Sequence, residues 1–248
     1  MRRRRPEDGR DAASYFTFVP NATPLRRVDP PLNFVAMNRF LPSFAAVFML
    51  ASLPLVHAEV VYQQDFTKAD VGSQPDELLI LDGQFAVQEA EGNRFFELPG
   101  APLESYGFLF GPSAASDVQA SARIFSTKQG RKFPTFGIGL CGASGYRLQV
   151  SPAKKSIELF KGDTVVTNAP FDWKSGEWTQ LRLQVRKVKD DEFKVEGKAW
   201  NAGTEEPKEP TITLTEPQAV PAGKAGAWGM PFAGTPIRFD DLKVTKLP

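Results

Sequence analysis

The stretch Gln-Leu-Arg-Leu-Gln-Val-Arg, residues 180 to 186, alternates polar and apolar side chains without a break. Successive side chains of a β-strand point to opposite faces, so Leu181, Leu183 and Val185 share one face and the polar residues share the other. A strand that is buried on one face only is typical of antiparallel sheets. The stretch therefore predicts a half-buried strand of an antiparallel sheet.

The same alternation, with frequent turn signals, recurs along the chain after residue 58. Residues 146 to 150 and 156 to 160, with Pro152 between them, predict a hairpin. Residues 201 to 210 are rich in Glu, Pro and Lys and predict a solvated loop. Further strands are predicted at residues 136 to 140, 193 to 200 and 211 to 215. Many short strands with frequent turns predict an all-β fold, a two-sheet antiparallel sandwich.

An apolar run from Phe40 to Val56 precedes this β-rich region. It follows Met-Asn-Arg at residues 37 to 39 and ends in Val-His-Ala before Glu59. A short basic start, an apolar core and small residues before a cleavage point are the pattern of a secretory signal peptide. We predict a signal peptide at residues 37–58 and export to the periplasm or beyond the cell. Two prolines and the lack of a stop-transfer flank predict no integral membrane span in the mature protein.

Residues 1–36, which include the arginine run at positions 2 to 5, stand in front of this signal. We interpret them as a non-native or disordered N-terminal extension, produced by a start codon assigned upstream of Met37. A basic nucleic-acid-binding arm and a twin-arginine export signal are the alternatives. The whole chain has 30 Lys and Arg against 29 Asp and Glu, a balance that does not favour a nucleic-acid partner.

The mature region, residues 59–248, is predicted to be one domain with a net charge of −3. It contains no histidine, since His57 lies in the signal, and its one cysteine is Cys141. A Ser-His-Asp triad, a Cys-His dyad and a His-ligated zinc site are therefore excluded within this region. Cys141 lies in an apolar run and is predicted to be a small buried side chain.

The order of segments resembles the concanavalin A-like lectin/glucanase superfamily, specifically the laminin-G-like jelly-roll modules of exported bacterial proteins. The matching segments are residues 62 to 66 (Tyr-Gln-Gln-Asp-Phe), 145 to 150 (Gly-Tyr-Arg-Leu-Gln-Val), 176 to 183 (Gly-Glu-Trp-Thr-Gln-Leu-Arg-Leu) and 237 to 244 (Ile-Arg-Phe-Asp-Asp-Leu-Lys-Val). The resemblance covers residues 60 to 246 and implies a jelly-roll sandwich in which the first strand pairs near the last. It also implies that ligands lie across the concave face of one sheet.

The polar positions of the strands are the ones that can form such a face, because the inner faces of both sheets must be apolar. Arg, Gln and Glu side chains hydrogen-bond sugar hydroxyls well, although the same positions could be ordinary solvated ones. Glycines at these positions leave room for a ligand to approach the sheet. The predicted ligand-binding residues are Arg123, Arg147, Gln149 and Glu158, with Gly137 and Gly139 beside them.

Sugar recognition usually adds an aromatic ring on which a pyranose stacks. The resemblance implies that Trp178 packs in the core, ahead of a strand. Trp173 and Trp228 are predicted to lie in loops, where core packing explains an aromatic side chain less well. Both are therefore candidate platforms.

The last segment predicts a β-bulge. Its apolar residues change parity between Phe239 and Leu242, so one face stays apolar only if an extra residue is inserted at Asp240-Asp241. The resemblance implies a second site here. In related jelly rolls a carboxylate near each terminus joins a calcium ion, and Asp65 with Asp240 or Asp241 matches that arrangement. The alternative is a charged pair that ends a strand.

Catalysis is the less favoured interpretation of this sequence. The Glu-x-Asp-x-Glu strand of the related glucanases does not occur. Glu158, with Arg147 near it, is the weak candidate for the base of a glycoside-acting hydrolase of the 3-keto-disaccharide hydrolase-like type, but a second carboxylate is not identified. We predict a lectin-like module that binds a carbohydrate or glycan ligand without catalysis and without a cofactor, apart from the calcium hypothesis. An envelope or adhesion protein is the third alternative.

Overall fold

The computed structural model describes residues 58–100, 103–218 and 221–248, and these ranges are almost entirely β-strand. A single turn of 3-10 helix, Pro152–Lys154, is the helical element within them. The strands are β1 (Glu59–Gln64), β2 (Leu79–Asp82), β3 (Ala86–Ala90), β4 (Asn93–Leu98), β5 (Tyr106–Ala114), β6 (Val118–Ser126), β7 (Thr135–Leu140), β8 (Tyr146–Ser151), β9 (Ser156–Lys161), β10 (Thr164–Pro170), β11 (Trp178–Lys189), β12 (Glu192–Asn201), β13 (Ile212–Glu216), β14 (Gly223–Met230) and β15 (Ile237–Lys246).

The strands form two antiparallel sheets that pack face to face. Sheet A has the order β13-β12-β11-β6-β15-β4-β3, and β1 also pairs with β15. Sheet B has the order β10-β9-β8-β7-β14-β5-β2. Strands β6 and β11 of sheet A lie against β7 of sheet B. The predicted all-β, two-sheet antiparallel sandwich is confirmed, and its first strand pairs with its last.

The alternating stretch at residues 180 to 186 lies inside β11, as predicted. Leu181, Leu183 and Val185 are at most 1% exposed and point into the core. The predicted hairpin is β8 and β9 joined through Pro152. The strand expected at residues 211 to 215 begins one residue later, at Ile212. Period-two alternation therefore located these strands correctly.

A phenylalanine cluster fills one end of the core. The ring centroids of Phe85 lie 5.2 Å from Phe96 and 5.1 Å from Phe108, and Phe239 of β15 lies 5.5 Å from Phe108. All four side chains are at most 1% exposed. Edge-to-face and offset contacts at these separations add to the stabilisation from apolar burial. Sheets A and B are thus joined by aromatic packing from several strands.

The predicted bulge in β15 is present at the aspartate pair. The register of β15 against β6 shifts between Asp240 and Lys243, and Asp241 has a φ of 50°. On its other side β15 pairs with β4 through Phe239 and with β1 from Leu242 onward. The bulge is therefore the point at which β15 exchanges one neighbour for another.

The N-terminal predictions lie almost entirely outside the described residues. The extension at residues 1–36 and the signal at 37–58, except for Ala58 itself, fall in that part of the chain. Within the part that the structure describes, no helix is both long and apolar enough to span a membrane.

Candidate functional site

The predicted ligand-binding residues divide between three places. Arg123 lies on the outer face of sheet A, in β6. Trp173 lies in the loop between β10 and β11. The other predicted residues share the outer face of sheet B: Arg147 and Gln149 in β8, Glu158 in β9 and Trp228 in β14. The structure therefore brings four of the six together and separates Arg123 and Trp173 from them.

Trp228 lies against several glycines on the outer face of sheet B. It belongs to a strand and not to a loop, so that part of the sequence prediction is wrong. Its neighbours across the sheet are Gly137 of β7 and Gly107 of β5. A methyl group on Gly107 would lie 2.5 Å from Cε3 of Trp228, and one on Gly139 would lie 3.4 Å from its Nε1. The indole therefore occupies space above β5 and β7 that side chains would fill if Gly107 and Gly139 were other residues.

Arg147 borders this indole and forms no ion pair among the described residues, although the charge of Asp163 opposes the effect of burial on its pKa. Its guanidinium carbon lies 4.4 Å from the ring centroid of Phe160 and 5.8 Å from that of Trp228. Desolvation by burial lowers the pKa of Arg147 from its usual value. Its Nε is buried without an acceptor in the described part of the chain. We call the surface formed by Arg147, Phe160 and Trp228 the Trp228 platform.

Glu158 and Gln149 form a hydrogen-bonded network beside the Trp228 platform. The ammonium of Lys154 lies 2.7 Å from Oε1 of Glu158, and Ser151 Oγ donates to Oε2. Gln149 Nε2 donates to the same hydroxyl at 3.1 Å. Burial raises the pKa of Glu158, but the hydrogen bonds from Lys154 and Ser151 outweigh it, so the pKa lies below its usual value. The Glu158 carboxylate is therefore ionised and internally satisfied.

The arrangement around Glu158 bears on the hydrolase hypothesis. The residues directly opposite Glu158 are Gln149 of β8 and Asn168 of β10, both amides. A glycosidase uses two carboxyl groups that flank the scissile bond. Neither cross-strand neighbour of Glu158 supplies the second carboxyl group, and the lowered pKa makes the Glu158 carboxylate a weaker base. The hydrolase hypothesis therefore stays a prediction without a partner for Glu158.

Two tryptophans have roles that the sequence did not predict. Trp173 packs against the buried core, with its ring centroid 6.4 Å from that of Phe136. Trp178 was expected in the core, and this expectation is wrong: it is only half-buried and lies on the outer face of sheet A beside Phe125. The guanidinium carbon of Arg123 lies 4.6 Å from the Trp178 ring centroid. Arg123 therefore belongs to a second, separate cluster.

The carboxylates of the calcium hypothesis have protein partners. Asp65 accepts hydrogen bonds from the backbone and hydroxyl of Thr67, which lower its pKa. Asp240 is fully buried, and burial raises its pKa although Asn93 and Arg123 donate hydrogen bonds to it. Asp241 is half-exposed and lies 2.9 Å from Nε of Arg123. Among residues 58–100, 103–218 and 221–248, no group of three acidic, histidine or cysteine side chains is arranged to hold a metal ion.

Comparisons with known proteins identify the fold. No protein-family model matches the chain, and no curated protein matches it in sequence. One similar solved structure is a protein of unknown function with a galectin-like fold from Bacillus subtilis, with a TM-score of 0.50, 10% identity, and coverage of 76% of this chain and 96% of that one. Another is the Emp47p carbohydrate recognition domain, with a TM-score of 0.50, 10% identity, and coverage of 75% and 95%. The predicted concanavalin A-like fold is confirmed.

Proposed function

We propose that the protein binds carbohydrate on the outer face of sheet B, with the Trp228 platform as the contact surface. The observation that carries the proposal is the position of the Trp228 indole on the outer face of sheet B, where it lies against Gly107, Gly139 and Gly226. An aromatic ring held across a sheet surface offers the flat apolar contact that a pyranose ring needs. The Emp47p domain, which has the same fold, is a carbohydrate recognition domain.

Arg147 supplies the polar part of the proposed contact. Its guanidinium lies between Phe160 and Trp228 and donates no hydrogen bond to a described side chain. A guanidinium offers several donors in a fixed geometry, which suits the vicinal hydroxyls of a sugar. Gln149 and Glu158 contribute indirectly. Both are hydrogen-bonded to the Ser151 hydroxyl, and this network stabilises the β8–β9 surface on which Arg147 lies. The proposed mechanism is therefore stacking on Trp228 with hydrogen bonds from Arg147.

A glycan-array screen of the purified protein tests this proposal. Trp228→Ala is expected to weaken binding of the selected glycan by about tenfold or more, since central aromatic contacts dominate such sites. Gly107→Ala is expected to weaken it as well, because the added methyl group displaces an indole that is still present. Intrinsic fluorescence and circular dichroism establish that both variants are folded.

The matched control is Phe232→Ala. Phe232 is an aromatic side chain that is 45% exposed and lies in the turn after β14, and it is not one of the three residues that form the platform. It is expected to bind as the unmodified protein does. Equal binding by Trp228→Ala and the unmodified protein would refute the proposed contact surface.

We also propose that the protein is exported and acts in the periplasm or outside the cell. The apolar run and small-residue cleavage pattern of residues 37–58 support this proposal.

A further inference from the structure

A second surface with the properties of a binding site lies on the opposite side of the sandwich. Three adjoining depressions follow β6 along the outer face of sheet A, at Phe125 and Arg123, then at Ser121, then at Gln119. Their volumes are about 360, 270 and 220 Å³ in that order. Gln119 and Phe125, at the two ends of this surface, are six residue steps apart along β6, which is about 20 Å. We call this surface the β6 groove.

The middle of the β6 groove is shaped by a small residue between long ones. Ser121 is paired with Lys243 of β15 on one side and with Arg182 of β11 on the other. Lys198 of β12 is paired with Arg182. The short Ser121 side chain leaves a floor between these longer side chains. The row Lys243, Ser121, Arg182, Lys198 therefore places three cations across the groove, on strands about 4.8 Å apart.

The cations of this row exceed their carboxylate partners. Arg182 and Lys198 share one carboxylate, that of Glu206, at 2.7 and 3.1 Å. Lys243 forms no ion pair within the described part of the chain, and Asp241, which lines the same depression, is paired with Arg123. Glu206 thus pairs with two of the three cations of the row, and Lys243 has no carboxylate partner among the described residues. Residues 59–248 as a whole carry a net charge of −3, so this excess is local.

Aromatic side chains occupy the same groove. Trp178 and Phe125 line one end, with ring centroids 5.6 Å apart, and Trp200 lines the middle depression. Gln180 lies between Arg123 and Trp200 in the cross-strand row. Aromatic surface suits sugar rings, while the cations suit acidic substituents. The combination distinguishes this groove from a purely cationic patch.

We propose that the β6 groove binds an extended segment of an acidic polysaccharide. The aromatic end contacts sugar rings, and Lys243 and Arg182 contact carboxylate or sulfate groups of the chain. This site is separate from the Trp228 platform, because the two lie on outer faces of different sheets. It therefore stands whether or not the platform binds sugar.

Binding of size-defined acidic glycans measured by calorimetry tests the proposal. Oligogalacturonate presents carboxylates and dextran sulfate presents sulfates, so the two arms distinguish the acidic group. At least one is expected to bind, with an affinity that falls as salt rises, since screening weakens exposed ion pairs. Lys243→Glu is expected to reduce this affinity by about tenfold or more, and Lys243→Gln by less.

The matched control is Lys155→Glu, which makes the same charge change at an exposed position between β8 and β9. It is expected to retain binding. Three results would overturn the proposal: equal binding of neutral cello-oligosaccharides, equal binding of polyglutamate, or unaltered affinity in a folded Lys243→Glu protein. Equal binding of a neutral glycan would show that charge is not recognised. Equal binding of polyglutamate would show that sugar is not recognised, and unaltered affinity of the Lys243→Glu protein would show that the ligand does not bind in the groove.

Discussion

Cys141 is the one thiol of the chain, and its surroundings make it chemically inert. It is 5% exposed at the end of β7, with Sγ 3.5 Å from the carbonyl of Ala115. Burial raises the pKa of the Cys141 thiol to about 11. The thiolate is the reactive form, so raising the pKa removes reactivity at neutral pH.

We expect Cys141 in the folded protein to react with Ellman's reagent at pH 8 at least about a hundredfold more slowly than a free thiol. The rate should rise as the pH increases toward 11, where the thiolate becomes populated. In guanidinium chloride the thiol should react at once and stoichiometrically. Fast reaction of the native protein at pH 8 would contradict the buried position.

The tryptophans show that sequence context predicts the position of a side chain in an alternating strand but not in a loop. Trp178 has the same parity as Gln180 and Arg182, so alternation alone places it on the outer face, as observed. The expectation of a core position came from the family resemblance and contradicted this parity. Trp173 lies in a loop, where no periodicity applies, and its contact with Phe136 could not be predicted locally.

At the scale of strands, the bulge of β15 joins four elements. Arg123 of β6 lies 2.5 Å from Oδ2 of Asp240, and Asn93 of β4 donates to the same oxygen at 2.9 Å. The backbone N–H of Asp241 donates to the other carboxylate oxygen. Asp240 therefore links β6 and β4 to β15 at the bulge. Beyond the bulge, β15 pairs with β1 instead of β4.

Asp240→Ala should destabilise the protein by about 2–3 kcal/mol, because it removes the buried carboxylate that accepts hydrogen bonds from the half-buried Arg123 and Asn93. Chemical denaturation followed by tryptophan fluorescence measures this change. Asp241→Asn removes only a half-exposed ion pair with Arg123 and should change stability by about 1 kcal/mol or less. Equal losses in the two variants would show that the buried network has no special contribution.

Strands with strict alternation could be predicted individually, whereas their order in the sheets could not. The β8–β9 hairpin was predictable because a tight turn makes sequence neighbours pair. The neighbours of β6 in sheet A are β11 and β15, which are distant in sequence. Only the packing of the whole chain selects such partners. This is why Arg123 was assigned to the same site as Arg147 although the two lie on different sheets.

At the scale of the whole molecule, the proposed export makes a prediction about the N-terminus. Cleavage after Ala58 would make Glu59, the first residue of β1, the first residue of the mature protein. Mass spectrometry of protein recovered from the periplasm or medium should give a chain that begins at Glu59. Replacing Val56 and Ala58 with Arg should block this cleavage. Recovery of a chain that still carries residues 37–58 would contradict the proposed signal.

The pairing of β1 with β15 has a consequence for the rate and timing of folding. Glu59 is paired with Lys246, so one of the contacts that close sheet A joins residues nearly the full length of the domain apart. Contacts between residues distant in sequence have a high loop-closure cost and slow folding. Sheet A cannot be completed until the segment that contains β15 has become available. For the export that we propose, slow closure of sheet A would keep the newly made chain unfolded for longer, and an unfolded chain passes through a secretion channel more easily than a folded one.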